Sequence, residues 1–174
     1  LGSSGIFAAG RSNLSVVNGV IRGWGTGIYN PDLTDTDSGG LFHGLQITNN
    51  GVGVQTARGA RFDASIVRSN TSYGIFATAP GITVTNSTFL DNGTAIAAAS
   101  QALIESNHIE IPAGGIGVVA GNFTTIRRNY FGNNSLTGYV TIDLNTVDYV
   151  AVVENRMKAN LTTGGSGVGL VMPY

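Results

Sequence analysis

His43, Asp63, Glu105 and Arg127 are the residues of this chain whose types and spacing could do acid–base chemistry. An imidazole oriented by a carboxylate can accept or deliver a proton near neutral pH, and a carboxylate paired with a guanidinium can stabilise developing charge. Arg61 stands two residues before Asp63. The four lie far apart in the chain, so this chemistry exists only if the fold brings them together. His108, Tyr130 and Arg156 form a second set, flanked by Glu110 and Lys158. A phenol ring with acidic and basic neighbours suits a sugar, through stacking and hydroxyl hydrogen bonds. Asp32, Asp35 and Asp37 form a third, inside "NPDLTDTDSGG" at residues 30–40. They are hard oxygen ligands of the kind calcium takes, although their spacing is not that of an EF-hand. Each set also has a plainer reading. The first is charge pairing across strands of a solvated face, the second a polar face that keeps a sheet soluble, the third an Asp-rich turn.

Composition limits what those residues can serve. With 174 residues, 42% of them hydrophobic, the chain is long and apolar enough for a core of its own. Only 11% of residues are charged and the net charge is −1, which supplies no electrostatic footprint for nucleic acid or an anionic membrane. There is no cysteine, hence no disulfide and no thiolate metal site. No apolar run is long enough to span a membrane.

The elements that must position these side chains come from an internal repeat. Aligning "LSVVNGVIRGWGTGI", "GLFHGLQITNNGVGV", "RFDASIVRSNTSYGI", "ITVTNSTFLDNGTAI", "LIESNHIEIPAGGIGV", "TIRRNYFGNNS" and "VAVVENRMKAN" gives two wholly apolar columns. The first is Val16, Phe42, Phe62, Val84, Ile104, Ile126 and Val152. The second, five residues on, is Ile21, Ile47, Val67, Phe89, Ile109, Phe131 and Met157. The steps are 20 to 26 residues. A third apolar column follows the glycines: Ile28, Val54, Ile75, Ile96, Ile116, Val140 and Val168.

Such short, β-branched-rich segments, without a 3.6-residue stripe, predict strands. A spacing of five places both first columns inside only if the chain bends between them. Asn18, Gly19, Gly44, Ser65, Asn86, Ser87, Asn107, Asn129 and Asn155 lie there, residues expected to adopt left-handed backbone or to bond their own backbone. A second turn column reads Asn50, Asn70, Asn92, Asn134 and Asn160. The closely spaced glycines of "NGVIRGWGTGIY" and of "GIGVVA" resemble a nucleotide loop in their letters only. They fall at the third turn of the repeat, with no helix to follow.

Three strands and three turns per repeat describe one coil of a β-solenoid. The "N-x-F-x-x-N…G-I" pattern of "NSTFLDNGTAI" and "NHIEIPAGGIGV" resembles the right-handed parallel β-helix repeat of the pectate-lyase-like superfamily. The resemblance covers nearly the whole chain, with "GIFAAG" as the tail of an earlier coil. It implies an all-β, right-handed parallel β-helix of about seven to eight coils with three short strands each. Residues 1–174 are then expected to be one domain and a fragment of a longer chain. With no cap before Leu1 or after Tyr174, the isolated chain is expected to aggregate or oligomerise.

In pectate lyases and polygalacturonases the active groove lies over the face matching the third strand. Lyases there use Asp-bound calcium and an Arg or Lys base, and hydrolases use clustered Asp. Here that face is expected to present Tyr29, Gln55, Phe76, Ala97, Gly117, Thr141 and Gly169, with Asp143 its one carboxylate. No "DD", "GHG" or "RIK" element occurs, so no family catalytic residue carries over.

The reading is therefore a non-catalytic β-helical module of an extracellular, cell-surface or virion protein, serving as scaffold or polysaccharide-binding surface. Its partners are polysaccharide and either further domains of the same protein or a second copy. The cofactor is none, or calcium at the Asp-rich loop. The alternative is a carbohydrate-active enzyme, a lyase, hydrolase or epimerase, built on His43, Asp63, Glu105 and Arg127.

Overall fold

The computed structural model describes residues 3–31, 39–133, 137–144, 147–158 and 166–171. Among the described residues the strands are three to seven residues long and belong to three parallel sheets. The first sheet has seven strands, from Leu14–Val17 to Ala151–Val153. The second has seven, from Val20–Arg22 to Arg156–Lys158. The third has eight, from Ser4–Phe7 to Ser166–Val171. The chain visits the sheets in rotation, so every strand pairs with its equivalent one coil away. Among the described residues no helix is long and apolar enough to cross a membrane.

The first two apolar columns are in register throughout, Val16 to Val152 on the first sheet and Ile21 to Met157 on the second. Phe42, Phe62 and Phe89 are fully buried, with ring centroids 6.4 and 6.3 Å apart. Burying each such side chain stabilises the fold by about 2–3 kcal/mol.

The bend between the two columns is made one residue earlier than several of the expected positions. The left-handed residues are Asn18, Gly44, Ala64, Asn86, Ser106, Arg128 and Glu154. Ser65, Ser87, Asn107, Asn129 and Asn155 follow that column and turn inward or half-inward. There they bond along the solenoid, and Ser65, Ser87 and Asn129 also donate to a carbonyl of their own turn. Ser87 N donates to Asn107 Oδ1 at 3.0 Å, Asn107 N to Asn129 Oδ1 at 2.9 Å, and Asn129 N to Asn155 Oδ1 at 2.9 Å. Asn50, Asn70 and Asn92 make a second buried ladder after the second sheet, Asn50 Nδ2 donating to Asn70 Oδ1 at 3.0 Å and Asn70 Nδ2 to Asn92 Oδ1 at 2.8 Å. Asn134 and Asn160 lie outside the described residues. Amides suit these corners because a turning chain leaves buried N–H and C=O groups that its strands cannot satisfy.

The third apolar column slips by two residues in its later copies. Ile96 pairs with Val118, Val118 with Ile142 and Ile142 with Leu170, so Ile116 and Val140 are not the core residues, and Val168 stands in register with Val140. The outward column consequently runs Phe7, Tyr29, Gln55, Phe76, Ala97, Val119, Asp143, in place of Gly117, Thr141 and Gly169. The glycine that marks register is the one whose side chain would strike the next coil. A Cβ on Gly27 or Gly74 would stand 2.5 Å from a carbonyl oxygen of the following coil, and one on Gly117 would meet Thr141 O. Gly117, not Gly115, is the equivalent residue, and the apolar residue after it is Val118.

Candidate functional site

The outward column of the first sheet brings together His43 with Asp63 and Glu105 with Arg127, as their one-coil spacing predicts. Adjacent coils are about 4.8 Å apart. His43 Nδ1 lies 3.1 Å from Asp63 Oδ2. Thr85 Oγ1 donates to Asp63 Oδ1 at 2.8 Å and Asn86 Nδ2 donates to the same oxygen at 3.0 Å. The Asn86 amide foremost lowers the Asp63 carboxyl below its ordinary 3.8; burial, the next largest effect, opposes it, and Thr85, His43 and the charge of Arg61 add to the lowering. Asp63 is a fixed carboxylate.

Glu105 is held from the next coil. Arg127 Nη2 donates to its Oε2 at 3.0 Å, and Arg127 Nε and Arg128 Nη1 lie 3.0 and 3.5 Å from its Oε1. Arg128 Nε in turn donates to Glu154 Oε2 at 2.8 Å, and this bond with the charge behind it raises the Arg128 pKa.

These four residues are two pairs and not one cluster. Thr85 stands between Asp63 and Glu105 in the column, which separates their backbones by about 9.6 Å, two coil spacings. Inverting glycosidases place two carboxyl groups about that far apart, but one of them must be a protonated acid. Asp63 is pushed the opposite way, and Glu105 faces two guanidinium groups. The arrangement favours ion pairing over proton transfer.

The second set is also in register, His108 beside Tyr130 and Tyr130 beside Arg156, with Glu110, Gly132 and Lys158 as the neighbouring outward column. His108 Nε2 lies 2.6 Å from Glu110 Oε1, and its ring meets Tyr130 at 4.8 Å and 57°. The Arg156 guanidinium lies 5.8 Å over the Tyr130 ring. The Glu110 carboxylate lies over Gly132, in the space a side chain there would fill. A stacking ring, a hydrogen-bonding imidazole–carboxylate pair and cationic heads thus share one solvent-facing surface.

Asp32, Asp35 and Asp37 lie outside the described residues. Among the described residues no three His, Asp or Glu side chains converge where they could hold a metal ion. The outer face of the third sheet carries two stacked aromatic pairs, Phe7–Tyr29 at 5.4 Å and Tyr73–Phe76 at 4.9 Å.

One pair escapes the repeat alignment altogether. Phe123 and Tyr149, at the corner from the third sheet to the first, stack at 5.2 Å with planes 2° apart. The signal was there in the corner column, where Gly39, Gly59 and Gly81 give way to Gln101, Phe123 and Tyr149.

The family model described as a right-handed β-helix region matches residues 4–172. No curated protein matches the chain, and neither does any solved structure.

Proposed function

The chain belongs to the right-handed β-helix family, and on that premise we propose that it acts without catalysis, as a β-helical module whose outer surface binds polysaccharide. The observation that carries this reading is the occupation of its carboxylates. Asp63 is committed to Thr85, Asn86 and His43, and Glu105 to Arg127 and Arg128. A general acid or nucleophile needs a carboxyl group free to change its protonation or to attack. The surface made by His108, Tyr130, Arg156, Glu110 and Lys158 offers what sugar binding asks for, a ring face and charged hydrogen-bonding heads. Tailspikes and surface adhesins that resemble this repeat supply the precedent for an extracellular, cell-surface or virion setting.

The test is electrophoresis of the folded chain through gels containing neutral or acidic polysaccharides, with product formation assayed in parallel. The expected result is retardation by at least one polysaccharide, weakened in Tyr130→Ala, with neither new reducing ends nor unsaturated products. Turnover abolished by Asp63→Asn or Glu105→Gln would overturn the reading in favour of a lyase or hydrolase.

A further inference from the structure

The corner between the third and first sheets uses a left-handed residue in successive coils. Asn13, Gly39, Gly59 and Gly81 suit that conformation, and Gln101 follows them. Phe123 at φ 59° and Tyr149 at φ 58° do not, since a bulky side chain on a left-handed backbone is strained. Burial does not repay the strain, because the two residues are 58% and 79% exposed. Their parallel rings form an apolar ridge standing in solvent.

Across the same two coils the strands Thr125–Arg127 and Ala151–Val153 lead from this ridge to Arg127, Arg128 and Glu154. The floor between is low, made of half-exposed Thr125 and exposed Ala151. From ring ridge to charged heads is about 13 Å, four residues of extended chain. That length suits an oligosaccharide better than a single ion. The heads form a chain, Arg127 to Glu105 to Arg128 to Glu154, in which two guanidinium groups offset two carboxylates.

We propose that this surface is a second glycan site, distinct from the Tyr130 surface, and that it takes a neutral sugar chain. The apolar face of one sugar ring lies against Phe123 and Tyr149. The hydroxyls of the next rings receive hydrogen bonds from Arg127 and Arg128 and donate to Glu105 and Glu154. Because the charges cancel, an anionic sugar gains nothing here over a neutral one. The site rests on the polysaccharide-binding reading, and its test separates the two.

Wild-type chain, the double variant Phe123→Asn with Tyr149→Asn, and Tyr149→Phe are run through gels containing a neutral β-glucan, mannan or galactan, or polygalacturonate, and each is melted. Asparagine tolerates the left-handed corner, so the double variant should keep the wild-type melting temperature while its affinity for the neutral polymer falls at least about tenfold. Tyr149→Phe keeps the stack and should keep binding. Undiminished binding by the double variant, in a chain that does bind polysaccharide, overturns this site and leaves the general reading standing. A large fall in its melting temperature makes the stack a structural element and also overturns the site. A wild-type chain retarded by none of the polymers removes both.

Discussion

Arg128 and Asn129 are consecutive residues at one corner, the first outside the solenoid and the second inside, and each reaches one coil onward. Arg128 Nε donates to Glu154 at 2.8 Å and Asn129 Nδ2 to Asn155 at 3.0 Å. The geometry is nearly the same and the energetics are not. Water and salt compete for the exposed Arg128 at every moment, so its bond to Glu154 adds little. Asn129 is buried, and if it were lost nothing would replace its bonds to Asn107, Asn155 and the Ile104 carbonyl. A buried polar group without a partner is penalised by its full desolvation. Periodicity alone therefore does not say which cross-coil contacts hold the protein together. The side of the sheet does.

The inner side can be broken most severely at the apolar stack. Phe89→Asp places an unpaired charge between Val67 and Ile109 and is expected to remove at least about 5 kcal/mol, enough to unfold the chain. A wild-type melting curve for that variant would show that the stack is not the core. Asn129→Ala is the next largest. It strips partners from both adjoining coils and should cost about 2–4 kcal/mol, read from urea unfolding.

Asp63 lies between the two extremes, half-exposed but well bonded. Its folded-state pKa is below the ordinary 3.8, so its contribution to stability is fully present above that value. It is lost as pH falls through the folded pKa. Melting temperature followed from about pH 5 to about pH 2 should therefore drop less steeply in Asp63→Asn than in wild type. Parallel curves would mean that Asn86, Thr85 and His43 do not hold the carboxylate. The smallest effect belongs to Arg128→Ala, for which no measurable change in melting temperature is expected, at low salt or high. A clear loss at low salt, restored in no salt condition, would put the outer ladder on the same footing as the inner one.

Much of this was legible without coordinates. The seven-fold columns from Val16 to Val152 and from Ile21 to Met157 give the core of two sheets. The coil spacing gives the pairings His43–Asp63, Glu105–Arg127 and His108–Tyr130–Arg156. The third column failed after Ile96, because "PAGGIGV" offers three glycines, and both Ile116 and Val118, at the expected place. Which glycine counts is decided by an approach to the neighbouring coil's Thr141 carbonyl, a contact between residues distant in the chain. The left-handed corner was displaced by one residue in several coils for a similar reason. Ser, Asn and Gly favour both a left-handed backbone and an inward hydrogen bond, and composition cannot separate the two.

The sequence by itself determined that the chain coils, how long each coil is and which side chains of two sheets face inward. It could do so because burial imposes a strict, repeated alternation that point-by-point reading detects. Only the tertiary structure decided what the outward residues do. It gave Asp63 its bonds to Thr85 and Asn86 beside His43, and brought Arg128 as well as Arg127 onto Glu105. It also put Phe123 and Tyr149, twenty-six residues apart, ring against ring at 5.2 Å on a strained corner. Outward positions carry no burial constraint to leave a pattern. Their chemistry depends on rotamers, turn lengths and neighbours one coil away, which exist only once the chain has wound.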